Sequence, residues 1–293
     1  MEIQVNKIDR LDKYLAQETA MSRSTIEKMI KEGYVLVNAS KVKASYKVKI
    51  NDVINIKDGY VEIPDIKPTK MSLDIVYEDN DLMVINKPSG LVVHPGSGNF
   101  NNTLVNGLMA YTKDLSDGEA EFRPGIVHRI DKDTSGLILI AKNNIMHEEL
   151  SKMFKAHTIK REYIALLIGE LPHNTMTIDA PIGRDPKYRQ KMAVTSINSK
   201  NAITHITVLK RYHGYTLVKC LLETGRTHQI RVHMKYIGFP IFNDPLYSNK
   251  STDDFGQFLH SSTMDFIKPI TGEHLHFECP LPAYFEDFLN TLD

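Results

Sequence analysis

Residues 125–143, GIVHRIDKDTSGLILIAKN, carry five ionisable side chains, His128, Arg129, Asp131, Lys132 and Asp133, in six consecutive positions between two apolar runs. A carboxylate set among such groups could act as a nucleophile or as an electrostatic stabiliser. In a water-poor pocket it stays ionised only if a cation lies within a few ångströms. Taken alone, DKDTSG is also a good turn sequence, and capping a hydrophilic turn is the usual employment of residues such as Asp131 and Asp133. The His128-Arg129 pair ahead of that turn has no part in turn chemistry, and it singles the stretch out.

Other polar groupings are weaker. The loops PGSGNF and TGRTHQ contain glycine but match neither GxGxxG nor a Walker pattern, so no nucleotide cofactor is expected. His228 and His233 are five apart rather than the four of a helical zinc pair, there is no HExxH, and no metal is expected. Cys220 and Cys279 are the two cysteines of the chain and read as core residues, with no disulfide framework or CxxC site.

These groups need elements to position them. The 293 residues, 42% of them apolar, suffice for one large domain and a small companion. The first residues lack the layout of a secretion signal and no apolar run is long enough to span a bilayer, so a cytoplasmic protein is expected. Formal charge is zero, so any nucleic-acid contact must come from local patches.

Residues 8–32 read as two short helices, with Leu11, Tyr14 and Leu15 on one face of the first and Ile26, Met29 and Ile30 on one face of the second. Ser24 and Glu27 suggest a capping box, and Gly33 the stop. YVLVN, YKVKIND and VINI then read as strands, giving a helix-helix-hairpin module over 1–60. Arg23, Lys28, Lys31, Lys41, Lys43, Lys47 and Lys49 give it a local basic face, which a plain solvated lysine surface would explain equally well. The stretch 61–72, with Pro64 and Pro68, reads as a linker.

From 73 to 293 come short apolar strands, LDIVYE, LMVINKP, GLVVHP, a GIV strand end, LILIAKN, EYIALLIGEL, AITHITVLKRY and TLVKCLLETG, with helical patterns near 103–112, 146–156 and 228–237. The expected class is α+β, a mixed, largely antiparallel sheet domain with a small N-terminal α+β module.

HRIDKDTSGL resembles the HRLD-x-x-TSGL signature of the RluA-type pseudouridine synthases, with Ile130 for the usual leucine. NKPSGLVVHPG (86–96), KREYIALLIGEL (160–171) and LETGRTHQIRVHM (222–234) look like further blocks of that family in the same chain order. The N-terminal module is similar to the alpha-L RNA-binding fold of a small-subunit ribosomal protein, in RLDKYLA, SRSTIEKMIKEGYVLVN and INDVINI. It departs at Ala39 and Asn51, where glycines are common.

The resemblance implies an isomerase that breaks the uridine N-glycosidic bond and rejoins uracil through C5 to the ribose, without metal or cofactor. It implies Asp131 as the catalytic carboxylate, Arg226 as its cationic partner, and Tyr163 as a ring stacked on uracil whose phenol could help remove the C5 proton. Attack on the sugar, attack on the base and a glycal route all remain open. Arg129, with His128 beside it, is expected to meet RNA where the target base leaves its helix. Arg184, Lys187 and Arg189 on an exposed hairpin, Arg231 on the helix after Arg226, and Arg23, Lys28 and Lys31 in the N-terminal module complete the expected RNA contacts. Read without the blocks, Arg226 would be a surface arginine and Tyr163 a packing residue.

An alpha-L module ahead of such a domain suggests large-subunit ribosomal RNA, or a pre-ribosomal particle, as the partner of a monomeric enzyme. A tRNA substrate, a non-catalytic RNA-binding or assembly factor on the same scaffold, and a nucleoside or glycoside hydrolase are the competing readings.

Overall fold

The computed structural model describes residues 1–60, 66–96, 101–117, 123–188, 190–249 and 255–292. Residues 61–65 of the expected linker and Arg189 of the expected RNA contacts therefore lie outside the described residues. The chain divides into two compact units, Met1–Pro64 and Asp65–Asp293.

In the first unit, α1 (Leu11–Glu18) and α2 (Arg23–Glu32) bury the faces that their periodicity indicates, Leu11, Tyr14 and Leu15 from one and Ile26, Met29 and Ile30 from the other. These side chains pack on Val35, Val37, Ile54 and Ile56 of a three-stranded antiparallel sheet in the order β1 (Glu2–Gln4), β5 (Val53–Ile56), β3 (Val35–Val37), while β2 (Asp9–Arg10) pairs with β4 (Lys47–Val48). The cap of α2 is Ser22 rather than Ser24: its extended backbone leads into the helix and its Oγ accepts the Thr25 amide at 3.2 Å. Gly33 ends the helix in the left-handed region, φ 81°. Asn38 and Ala39 take φ of 47° and 62° in the two-residue turn between Val37 and Ser40, and Asn51 takes φ of 72°. The two departures from glycine thus sit where glycine is favoured.

In the second unit, nine strands among the described residues form one sheet. They are β6 (Ile75–Glu78), β7 (Leu82–Lys87), β8 (Ser135–Ala141), β9 (Lys160–Ile168), β10 (Thr175–Asp179), β13 (Ile203–Tyr212), β14 (Tyr215–Leu222), β15 (Leu259–Ile267) and β16 (His274–Glu278). The order is β10-β13-β14-β9-β15-β8-β7-β6, with β16 also paired to β15, and a separate hairpin joins β11 (Ile182–Arg184) to β12 (Met192–Val194). All pairs are antiparallel except β8 with β15. The sheet is therefore mixed and largely antiparallel.

Strand β8 is buried along its whole length because both faces are covered. Its alternation sends Leu137 and Leu139 into a core with Met146 and Leu150 of α4 (Asn144–Ala156). Ile138 and Ile140 point into the larger core, with Leu104 and Leu108 of α3 (Leu104–Tyr111), Ile230 and Met234 of α5 (Gln229–Tyr236), and Phe285 of α6 (Ala283–Asn290).

Two expected strands are absent. GLVVHP is a loop whose Val92 and Val93 carbonyls accept the first amides of α3, from Leu104 and Val105, at 2.8 and 3.1 Å. GIV makes a single bridge, Ile126 to Ile140, because Pro124 and Gly125, the latter at φ 76°, turn the chain just before it.

Candidate active site

The parallel seam between β8 and β15 fixes the charged stretch. At Gly136, φ 104°, a Cβ would lie 2.2 Å from the Ser261 carbonyl oxygen, so only glycine lets the two strands approach and starts β8 directly after the turn. The Thr134 amide donates to the Asp131 carbonyl at 3.2 Å, closing that turn. It is held from behind by Lys87, fully buried, whose Nζ donates to the carbonyls of Pro88, Leu91 and Lys132 at 2.7–2.9 Å. Burial pushes the Lys87 pKa down to about 7, against the pull of Asp133 and Asp131. Ser89 Oγ donates to the Asp133 carbonyl at 3.1 Å and Gln257 Nε2 to Thr134 Oγ1 at 2.9 Å, so the backbone that carries Asp131 is tied down on several sides.

The Asp131 carboxylate is met by Arg231, not by Arg226. Arg231 Nη1 donates to Asp131 Oδ2 at 2.7 Å, while its Nε and Nη2 grip both oxygens of Asp244 at 2.7 and 2.8 Å. Asp244 is fully buried and also accepts the Leu246 and Tyr247 amides. Burial alone would lower the Arg231 pKa, but the two carboxylates more than offset it and the guanidinium is held above its ordinary range. The Tyr247 ring lies 5.1 Å from the same guanidinium. A buried arginine between two carboxylates keeps Asp131 aimed, whereas the expected phosphate contact from Arg231 does not fit a side chain that is 4% exposed and fully engaged.

Arg226 instead donates from Nε to the Asn201 carbonyl at 2.8 Å. Gln229 shapes the loop that carries it, accepting the Arg226 amide and the Thr224 hydroxyl on Oε1 and donating from Nε2 to the Ile203 carbonyl. His228, in the left-handed region at φ 57°, pairs through Nδ1 with the Tyr247 hydroxyl at 2.8 Å and leaves Nε2 3.9 Å from Asp131 Oδ1. Burial lowers its pKa, with Asp131 opposing.

These side chains converge on a pocket of about 60 Å³ lined by Asp131, Tyr163, Leu222, Arg226, His228 and Arg231 with Arg129 at the rim. Tyr163, from β9, is 6% exposed, and burial raises its phenol pKa. Asp131, Tyr163 and Arg226 therefore share one pocket although Arg226 makes no ion pair with the carboxylate.

His128 is not placed to meet RNA. Its Nε2 accepts the Leu139 amide at 2.8 Å, its ring stacks on Phe154 at 4.4 Å, and burial pushes its pKa down to about 3. Arg129 is exposed, with one bond from Nη2 to Thr227 Oγ1 at 3.1 Å. Arg184 and Lys187 are exposed at the β11–β12 hairpin, and Lys31 is exposed on α2, where Lys28 is half-buried. Arg23 is drawn into a structural cluster, since the buried Asp12 accepts from Arg23 and Arg10 together, and their hydrogen bonds outweigh burial to depress its pKa.

The sequence reading missed Asp244, His228 and the true partner of Asp131. One signal was available: Arg231 stands in QIRVHM among apolar neighbours, the setting of a buried rather than a solvated arginine. Among the described residues no group of three or more His, Cys, Asp or Glu could hold a metal ion, and no helix is long and apolar enough to cross a membrane.

Residues 81–236 match the model of the RNA pseudouridylate synthase family, and residues 9–54 match that of the S4 domain. An uncharacterized RNA pseudouridine synthase of Bacillus subtilis, YlyB, is 51% identical over 98% of this chain and 95% of its own. The ribosomal large subunit pseudouridine synthase D of Neisseria meningitidis serogroup B is 40% identical over 97% of this chain and 78% of its own. Among solved structures, human RNA pseudouridylate synthase domain containing 1 shares the fold, with a TM-score of 0.60 at 23% identity over 79% of this chain and 97% of that one.

Proposed function

The chain belongs to the RNA pseudouridylate synthase family, RluA/RluD type with an N-terminal S4 domain, and from that membership we propose that it isomerises uridines of large-subunit ribosomal RNA with Asp131 as the catalytic carboxylate. The isomerase class follows from the family, since pseudouridine formation moves uracil from N1 to C5 on the same ribose. The observation that carries the assignment of Asp131 is its bond to Arg231 at 2.7 Å inside a pocket it shares with Tyr163.

In this reading Arg231 engages Oδ2, and Oδ1 is the oxygen turned to the substrate. A fixed, ionised carboxylate supports attack or cation stabilisation at the sugar equally, because both need negative charge at one place before the bond breaks. Tyr163 stacks on the uracil. Its raised pKa supports a phenol that keeps its proton at neutral pH, which favours stacking and hydrogen-bond donation over service as a base. Arg226 passes from partner of Asp131 to substrate contact at the rim, alongside Arg129.

The chemistry is assigned to 73–293 and the grip on RNA to the 1–60 domain, joined by 61–72, with Lys28, Lys31, Arg184 and Lys187 as further phosphate contacts. Ribosomal RNA is favoured because a relative named for the large ribosomal subunit aligns with 97% of the chain, S4 domain included. The enzyme is proposed to act as a cytoplasmic monomer. Mapping of pseudouridines by carbodiimide modification and primer extension, in cells with and without this chain, tests the substrate. Loss confined to large-subunit ribosomal RNA is expected, and loss confined to tRNA would refute it.

A further inference from the structure

Next to the Asp131 pocket lies a second cavity, of about 460 Å³, whose lining includes Lys155, His157, Arg161 and Gly225 and which shares Arg129, Tyr163, Leu222 and Arg226 with the first. No carboxylate lines it. Arg161 enters it from β9, two residues before Tyr163, and is 6% exposed. Its Nε is buried without a hydrogen-bond partner, and among the described residues no acid pairs with it. What holds the guanidinium is a ring: it lies 5.4 Å from the centroid of Phe154, which in turn stacks on the neutral His128.

The contrast with Arg231 is informative. Both arginines are buried, but Arg231 spends its fork on two carboxylates and Arg161 has none. A buried cation without a counter-charge is unfavourable unless an anion arrives. The local field points the same way: burial, then Arg226 and Arg161, lower the pKa of His157, with Glu223 opposing. Room is kept open by Gly225, where a Cβ would lie 2.8 Å from Arg161 Nη1.

We propose that Arg161, with Lys155 and Arg226, binds a phosphodiester of the RNA next to the nucleotide whose base enters the Asp131 pocket. The proposal rests on the RNA pseudouridine synthase reading of that pocket. The two cavities share four lining residues, so a ligand in the second is continuous with substrate in the first. The formal charge that RNA brings is its phosphodiester, and a planar guanidinium suits two phosphate oxygens at once. An anion held there fixes the sugar's position relative to Asp131 while leaving base identity unread.

The test uses the full chain and a transcript of large-subunit ribosomal RNA, with binding measured across a KCl series for wild type, Arg161→Gln and Lys155→Gln. Lys155 is exposed on α4, so its variant keeps the fold. Loss of one phosphate contact lowers the slope of log K against log salt by about 0.7–0.9. That fall is expected in both variants, with KM for tritium release from uracil C5 rising more than kcat falls, and with Arg161→Lys partly restoring KM. Unchanged slopes in both variants, with Arg161→Gln lowering only the melting temperature, would overturn the proposal and leave Arg161 a packing residue. Wild-type tritium release on the same transcript separates the two failures: release with unchanged slopes sinks the phosphate site alone, while no release from any transcript sinks the substrate reading beneath it.

Discussion

Replacing Arg231 by lysine keeps the charge and removes the fork. The guanidinium makes three charge-assisted bonds, at 2.7 Å to Asp131 and at 2.7 and 2.8 Å to Asp244. One ammonium cannot reproduce that planar set, and at least one bond is lost beside a fully buried carboxylate. With charge-assisted bonds worth about 1.5–3 kcal/mol each, Arg231→Lys should lose roughly 2–4 kcal/mol of stability. At about 2–4 °C per kcal/mol for a unit of this size, the melting temperature should fall by about 5–15 °C. If the lost bond is the one that aims Asp131, the same energy corresponds to a fall in kcat of about 30- to 1,000-fold. Arg226→Gln is the comparison, because Arg226 sits half-buried with one bond to the Asn201 carbonyl. Its stability should stay within about 1 kcal/mol of wild type, and its defect should fall on KM. Thermal unfolding with single-turnover tritium release reads both. An Arg231→Lys enzyme with wild-type kcat, alongside an Arg226→Gln enzyme that has lost it, would show that the pairing argued from these distances is not the one that matters.

Three further outcomes follow from the backbone and the surface charges. Gly136→Ala brings a Cβ to 2.2 Å from the Ser261 carbonyl at φ 104°, so the β8–β15 seam must open, and denaturant unfolding should show a loss of roughly 3 kcal/mol or more; a loss under about 1 kcal/mol would contradict the close approach. Ala39→Gly relieves a left-handed φ of 62° and should stabilise the N-terminal unit by about 1 kcal/mol, measured by melting, with destabilisation as the contrary result. Asp79, whose hydrogen bonds from Lys268, Leu82, Asp81 and Tyr77 outweigh burial, has its pKa lowered to about 2, below the unfolded value near 4; its stabilisation is complete above about pH 4 and lost as pH falls toward 2, so Asp79→Asn should flatten stability over that window, and an unchanged acid limb would refute it.

Much of this fold is legible in apolar periodicity. The helix faces Leu11-Tyr14-Leu15 and Ile26-Met29-Ile30 follow from spacing alone, and so do strands such as β8, whose unbroken apolar run requires cover on both sides. Strand β15 escaped because His260, Ser261, Ser262 and Thr263 dilute its pattern, although it lies at the centre of the sheet and supplies the seam beside the site. The helix α6 was missed as well, since its burial rests on one residue, Phe285, inside an aromatic cluster gathered from distant positions.

At the site, local sequence marked Asp131 as unusual but could not choose between Arg226 and Arg231. The choice depends on Asp244, which reaches Arg231 only through the folded chain. His128 illustrates the same limit: a polar residue beside Asp131 reads as a contact, yet its nitrogen serves the Leu139 amide of a buried strand. Arg161 draws no reading of its own within KREYIALLIGEL, because an unpaired buried cation becomes visible only once its neighbours are known.

The measurement that bears most directly on the account is tritium release from uracil C5 of large-subunit ribosomal RNA, comparing the wild-type chain with Asp131→Asn. Isomerisation must free that hydrogen, whereas binding or glycosidic hydrolysis leaves it in place. The account predicts release by the wild type and none by an Asp131→Asn chain that still folds and binds the RNA. Release undiminished in the variant would contradict the role of Asp131 directly.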